Sequence, residues 1–262
     1  MSVAIEVTRN TLDAVAVSLR RPEAHNAFNA ELIAELTAAF QKLATDESVT
    51  TVVLQGEGKS FCAGADVNWM RESLDLSEQE NLEDALRMSD MFAAIDEAPQ
   101  AVVGRVHGAA LGGGMGLIAV CDIVVAAEGT IFGFTETRLG IIPAVISRFV
   151  VPKIGPSWAR RLFLSGERFG CDLAREIGLV HEVVLAEELD AAVDRVVAEV
   201  RQAGPQAIRE AKALIRGIVD RGPEEWREFT AARIARVRTS AEGQEGLRSF
   251  LEKREPSWRT GA

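Results

Sequence analysis

Hydrophobic and polar positions alternate with two different periods along this chain. Val15, Val17 and Leu19 are separated by smaller or polar neighbours, which predicts a half-buried strand. Asn29 then offers a side-chain cap, Glu31 falls in the first turn, and Leu32, Leu36, Phe40 and Leu43 follow at helical spacing. Thr51 to Gln55 is a short buried strand closed by Gly56 and Gly58. Glu78 to Glu97 predicts a helix that ends before Pro99. Ala101 to Val106 and Asp122 to Ala127 predict two more strands. Strands and helices alternate through the first two thirds of the chain, so the expected class is α/β with parallel strands. After Gly204-Pro205 only helical patterns remain, at Gln206 to Asp220, Glu224 to Arg238 and Gly243 to Arg254. The expected organisation is therefore a core over 1–204 and a helical region over 205–262. No internal sequence repeat is evident.

Composition narrows the function classes. The chain has 262 residues and a formal net charge of −10. Phosphate backbones bind clustered Lys and Arg, so no nucleic-acid partner is expected. Cys62, Cys121 and Cys171 are widely separated and lack metal-ligand spacing, and no metal site or disulfide framework is expected. The N-terminal stretch lacks the pattern of a signal peptide. The apolar run from Gly108 to Cys121 falls short of the roughly 18 residues of a membrane span. A cytoplasmic location without membrane contact is the expectation.

Chemistry enters with two glycine-bearing bends, each after a strand. His107 to Asp122 reads HGAALGGGMGLIAVCD, and Gly58 to Met70 reads GKSFCAGADVNWM. Neither the lysine of a phosphate loop nor the spacing of a dinucleotide fingerprint is present. A glycine turn that opens a helix presents free N–H groups to an oxygen that becomes negative during reaction. It also suits a tight helix–strand contact in a crowded core. Two such bends could each donate one N–H to the same carbonyl oxygen.

In that order and spacing, SFCAGAD, VHGAALGGGMGLIAVCDIVVAA and FGFTETRLGIIP resemble the crotonase superfamily of enoyl-CoA hydratases and isomerases. RRPEAHNAFN, SGERFGCDLAREIGLVHEVV and EGLRSFLEKR extend the resemblance over nearly the whole chain. It implies a spiral of ββα turns followed by a helical trimerisation region, assembled as a homotrimer or dimer of trimers. It implies that the N–H groups of Ala65 and Gly113, with Gly112 beside the latter, hold the thioester oxygen of an acyl-CoA. The loop Ala63, Gly64, Ala65 and Asp66 lies along CoA, and Phe250 and Lys253 reach CoA, often from a neighbouring subunit. CoA is part of the substrate, and no separate cofactor is implied.

The resemblance also carries a departure. Many relatives use two glutamates. One matches Glu136, but the position of the other holds Gly116. Phe132, Phe134, Leu139, Ile141 and Ile142 around Glu136 predict a desolvated carboxyl with a raised pKa. One carboxylate leaves two chemistries open: hydration of a 2-enoyl-CoA, or a proton shuttle that moves the double bond. A subunit that binds CoA without catalysis is a third reading. The GGGMGLIAVCD and TETRLGIIPAVISRFVV stretches resemble a methylglutaconyl-CoA hydratase subgroup that also carries Gly at the second position. This makes 2-enoyl-CoA hydration the leading expectation, with 3-methylglutaconyl-CoA, of leucine breakdown, as a candidate substrate. Its extra carboxylate calls for a cation, and Arg138 and Arg148 are the candidates.

Other residues carry smaller expectations. His107 is read as packing or hydrogen-bonding rather than as a proton relay, and His25 and His181 form no metal set with it. Asp66 and Asp122 are expected to satisfy loop or helix N–H groups. Glu23 stands where many relatives have Lys, which shifts CoA contact toward Lys59, Lys253, Arg20 or Arg21. Glu72 and Glu83 are candidates to replace the missing carboxylate.

Overall fold

A computed structural model describes residues 4–9, 14–219 and 221–260. Its elements begin with β1 (Ile5–Arg9), β2 (Val15–Leu19), α1 (Ala30–Ala44) and β3 (Thr51–Gly56). Next come α2 (Val67–Glu72), α3 (Glu78–Asp96), β4 (Ala101–Val106), β5 (Ala109–Leu111) and α4 (Gly113–Val120). β6 (Ile123–Ala127), β7 (Ile131–Gly133), α5 (Ala144–Ser165), β8 (Arg168–Phe169), α6 (Cys171–Glu176), β9 (Glu182–Val184) and α7 (Leu189–Val200) complete the α/β part. Four helices follow: α8 (Pro205–Val219), α9 (Pro223–Thr239), α10 (Ala241–Glu252) and α11 (Ser257–Thr260).

The larger sheet has the order β1-β2-β3-β4-β6-β9, and every pairing in it after the β1–β2 hairpin is parallel. A smaller sheet has the order β5-β7-β8. Between them the chain winds in repeating units. β4 joins the large sheet, β5 the small one, and α4 follows; β6, β7 and α5 repeat the pattern. The preceding unit is β3, a single bridge from Cys62 to Ala110, and α2. Each unit is a ββα turn, although the sequence shows no repeat. The turns share hydrogen-bond geometry and burial, not residue identities.

The large sheet is covered on both faces, and this explains its unbroken apolar strands. Val52, Leu54, Val102, Val106, Val124 and Ala126 face the main core with α1, α3, α4 and α5. Their alternates Val53, Val103, Val125 and Ala127 face a second core closed by Leu189, Ala192, Val193 and Val197 of α7. α1 starts where Asn29 accepts the Leu32 N–H at 2.9 Å, as its cap spacing predicts. α3 starts with a capping box between Ser77 and Glu80. α5 is broken at Gly155, where φ is 73° between Pro152 and Pro156.

α4 is short and sunk in the core, with every residue from Gly114 to Val120 buried. Its C-terminal carbonyls have no water to bind, and Lys153 of α5 supplies the donor. The Lys153 ammonium reaches the carbonyls of Ile118 at 3.3 Å, Ala119 at 3.2 Å and Cys121 at 2.5 Å. Burial pushes the Lys153 pKa down from its ordinary value. Asp122, just past the helix, accepts the Val102 N–H at 2.7 Å, the N–H-satisfying role expected of it, and pairs with Lys212 of α8 at 2.7 Å.

That ion pair, with Arg209 donating to the Glu47 carbonyl, ties the helical region to the sheet. The three predicted C-terminal helices are present as α8, α9 and α10. The predicted end of the first, Asp220, lies outside the described residues. These helices expose Ile215, Val219, Ile234, Phe250 and Leu251. No helix among the described residues is long and apolar enough to cross a membrane.

Lys153→Met would take the ammonium donor from the Ala119 and Cys121 carbonyls, while Ile118 keeps the Cys121 N–H. We expect a loss of about 1–3 kcal/mol, the usual cost of stranding buried acceptors, read as a lower urea midpoint.

Candidate active site

The two glycine bends meet. In the first, which follows β3, the Ala63 N–H donates to the His25 carbonyl at 3.0 Å. The Phe28 N–H donates to Gly64 O at 2.7 Å, and the Asp66 N–H donates to Phe28 O at 2.9 Å. Ala65 lies between these bonds, and its own N–H has no acceptor among the described residues. Gly64 has φ of +94°, and a Cβ there would stand 2.9 Å from the Leu111 carbonyl oxygen. Glycine is therefore required on both backbone and steric grounds.

The second bend ends β5 and opens α4. Gly112 has φ of 50° and ψ of −120°; its N–H donates to Gly133 O at 2.9 Å, and its carbonyl accepts the Met115 N–H at 2.9 Å. The next amide, of Gly113, stands at the helix start. It too has no acceptor among the described residues. A Cβ on Gly113 would lie 2.8 Å from the Phe28 ring, and one on Gly114 would strike the Cys62 carbonyl. A Cβ on Gly112 would lie 3.8 Å from the Gly64 Cα and 3.5 Å from Glu136 Oε1. The tight-packing reading and the open-amide reading of GGG thus both hold: close backbone contact is what brings the bends together.

Both bends line one cavity of about 410 Å³, with Ala63, Gly64, Ala65, Gly112, Gly113 and Glu136 in its wall. Trp69 and Met70 of α2, Ala85 and Met88 of α3, and the stretch from Leu139 to Ile146 supply a mostly apolar remainder. Glu136 is the sole ionisable side chain of this lining. It begins a 3₁₀ turn, Glu136–Leu139, after Phe134 and Thr135 lead out of β7. Its Oε2 is buried without a hydrogen-bond partner among the described residues. Burial pushes its carboxyl above the ordinary carboxylate range, and its own backbone N–H offsets this only in part. The expected apolar neighbours divide into two groups. Phe132 and Phe134 are fully buried behind it, whereas Leu139, Ile141 and Ile142 stand at the rim, 55–71% exposed.

Hydrocarbon fills the position of the absent second carboxylate. Gly116 is buried in α4 and does not line the cavity. A Cβ on it would collide with Ile146 Cγ2 and come within 2.7 Å of the Phe92 ring. Glu72 and Glu83 are exposed and also lie off this wall, so the structure does not place either in the role of substitute acid.

Several other sequence candidates are engaged elsewhere. Asp66 caps α2 through the Asn68 N–H at 2.8 Å and pairs with Arg21 at 2.7 Å, which holds its carboxyl below the ordinary range. It braces the loop and does not line the cavity. Arg20 pairs with Glu6 and Glu57. Arg138 donates to the Ser165 carbonyl and packs on Gly166, and Arg148 lies over the Phe149 ring at 5.4 Å. Neither arginine meets the cavity.

Lys59 is exposed and has no ion pair among the described residues. Phe250 is 81% exposed, and Lys253 caps the end of α10; within one chain neither reaches the cavity. His107 contacts the Gly58 carbonyl at 2.9 Å, away from the cavity. His25 meets Ser60 Oγ and His181 meets the Val124 N–H. No cluster of three metal-ligating side chains exists among the described residues.

Sequence reading missed Phe28, Trp69, Met70, Ala85 and Met88. The three-residue step from Ala85 to Met88 marks one helix face, but the short α2 offered no periodicity to place Trp69 or Met70.

Comparison with known proteins agrees with this geometry. The family model described as enoyl-CoA hydratase/isomerase matches residues 11–261. The enoyl-CoA hydratase ACTT6 of Alternaria alternata is 39% identical over 207 residues, which are 77% of this chain; the match spans 66% of the length of that relative. The crotonyl-CoA hydratase of Syntrophomonas wolfei is 31% identical over 92% of each chain. The crystal structure of an enoyl-CoA hydratase from Shewanella pealeana superimposes with a TM-score of 0.93 at 36% identity, covering 97% of this chain and 96% of the other.

An ionised carboxyl held in this wall weakens the fold. A raised folded pKa means that stability is full below the unfolded value and declines as pH rises through the folded one. Glu136→Gln should therefore raise the thermal midpoint near pH 7.5 relative to the parent and lose that advantage near pH 4. Gly116→Glu should do the reverse at both pH values, lowering the midpoint because Ile146 and Phe92 must move.

Proposed function

The chain belongs to the enoyl-CoA hydratase/isomerase family, and from that premise we propose that it hydrates the 2,3 double bond of an acyl-CoA thioester. One observation carries the reading: Glu136, with one carboxyl oxygen buried and unpartnered, lines a mostly apolar cavity beside two bends that each hold an amide without an acceptor. In this mechanism the thioester oxygen sits between the N–H groups of Ala65 and Gly113. Glu136 takes a proton from water, and the hydroxide oxygen bonds to the β-carbon as the double-bond electrons move toward the thioester. The resulting enolate is held by the two amides, each of them worth roughly 3 kcal/mol of barrier by analogy with other oxyanion sites. The positive end of α4 adds to this. Return of the proton to the α-carbon completes addition of water and restores the Glu136 carboxylate.

The cavity lining bears on the acyl group. A second carboxylate on the substrate would face Trp69, Met70, Met88 and Ile146 with no cation among the lining residues. We therefore favour an uncharged enoyl chain over 3-methylglutaconyl-CoA, whose extra carboxylate was expected to meet Arg138 or Arg148. The hydrocarbon packed over Gly116 favours one second reading, double-bond migration by a single carboxylate. The exposed apolar side chains of α8, α9 and α10 support assembly of copies of this chain into a homotrimer or dimer of trimers, with Phe250 and Lys253 meeting a neighbour's CoA.

Absorbance of the conjugated enoyl thioester separates the readings. It should fall with crotonyl-CoA and change little with 3-methylglutaconyl-CoA. A rise with a 3-enoyl-CoA and no fall with crotonyl-CoA would transfer the assignment to isomerisation. No change with any substrate, while CoA esters still bind, would leave a binding protein. Glu136→Gln should lower kcat by ~10²–10⁴-fold with little change in CoA-ester affinity. The kcat/KM of the parent should rise with pH along a limb lying above ~4.3, the ordinary glutamate value.

A further inference from the structure

Phe28 touches both bends at once. Its backbone brackets Ala65 by donating to Gly64 O at 2.7 Å and accepting the Asp66 N–H at 2.9 Å. Its ring stands against the other bend, within 2.8 Å of where a Gly113 Cβ would be. Gly113 has no side chain with which to fix its own orientation. The Met115 N–H on the Gly112 carbonyl fixes the plane of the Gly112–Gly113 peptide within the turn, and the Phe28 ring packed against Gly113 fixes where that turn stands relative to the other bend.

The ring is in turn backed by a residue outside the cavity lining. Phe92 of α3 meets Phe28 edge to face, with centroids 6.0 Å apart and planes at 76°. Phe92 is fully buried, leans on Phe149 at 6.0 Å, and lies over Gly116 in the middle of α4. It thus contacts α4 and also backs the ring that presses on the start of that helix. Close-packed interiors transmit such displacements rather than absorb them.

We propose that the Phe28–Phe92 pair is the spacer that sets the separation and direction of the Ala65 and Gly113 amides. Phe92 is a positioning residue that acts through Phe28 without touching the substrate. The proposal rests on the oxyanion reading of those amides. Donors that act on the enolate rather than on the bound thioester affect kcat more than KM. A shorter side chain at 92 lets the Phe28 ring tilt, and the Gly113 amide drifts from its aim.

The test uses the full chain with Phe92→Leu, Phe92→Met and Val197→Ala, the last of these a packing control in the second core. Turnover of crotonyl-CoA is measured alongside the near-ultraviolet absorbance of bound acetoacetyl-CoA, whose enolate reports the amides without turnover. Phe92→Leu should lower kcat by ~10-fold with KM within ~2-fold, and should reduce the bound enolate fraction. Phe92→Met, which keeps the reach of the side chain but not the ring edge, should lose ~2–3-fold in kcat. Val197→Ala should keep the parent kcat per folded chain.

Parent-like kcat and enolate signal in Phe92→Leu would overturn the proposal. So would losses in Phe92→Leu and Val197→Ala that both follow the unfolded fraction. Should Phe92→Leu fail to fold, an unchanged enolate signal in Phe92→Met would overturn it equally. A parent that forms the bound enolate but hydrates nothing would remove the hydratase reading and leave the spacer standing.

Discussion

Backbone meets backbone where Gly64 lies against Leu111 and Gly112, and the rest of the site depends on that contact. A side chain on Gly64 would press on the Leu111 carbonyl, and Gly112 is held to glycine by its φ of +50°. The contact is possible because each bend is held from outside. The Ala63–Asp66 bend is pinned by His25 and Phe28, and the second by Gly133. Among the amides left without an acceptor are those of Ala65 and Gly113, one on each bend. In the proposed reaction the exposed Ala65 and the half-buried Gly113, both in the wall of one cavity, offer these amides to an oxygen that arrives with the ligand.

The carboxyl beside them follows the same logic. Glu136 has little water and one oxygen without a partner, so its charged form is disfavoured. In the proposed hydration that disadvantage for the fold assists proton transfer, since it moves the group toward working pH. Gly116 shows how firmly the single-acid arrangement is built. The absence of a second glutamate did not leave a vacant polar niche. Phe92 and Ile146 close over the helix there, and a longer side chain would have to displace core packing.

The surrounding scaffold keeps these parts in register. α4 presents Gly113 at one end and is capped at the other by Lys153, so a buried cation far from the cavity holds the helix on which the amide depends. The two-sided large sheet fixes where β3 and β4 end, and hence where both bends begin. Asp66 joins the same support through Arg21. Its bond from the Asn68 N–H is the loop- or helix-amide role read for it in the sequence.

The sequence by itself determined the local elements and the chemical inventory. Periodicity marked α1, α3, β3, β4 and the C-terminal helices, because long runs repeat a burial pattern that sterics and solvent impose locally. The apolar neighbours of Glu136 likewise implied its desolvation, and the ordered glycine bends carried the resemblance. Strands as short as β5, β7 and β8 lack enough residues to show a period. Only the tertiary structure decided which long-range contacts form. It joined Phe28 to residues near 64 and 113, seated Phe92 over Gly116, and turned Arg138 and Arg148 away from the cavity. Such contacts depend on where separate turns of the spiral stack, and no local pattern along the chain encodes that distance.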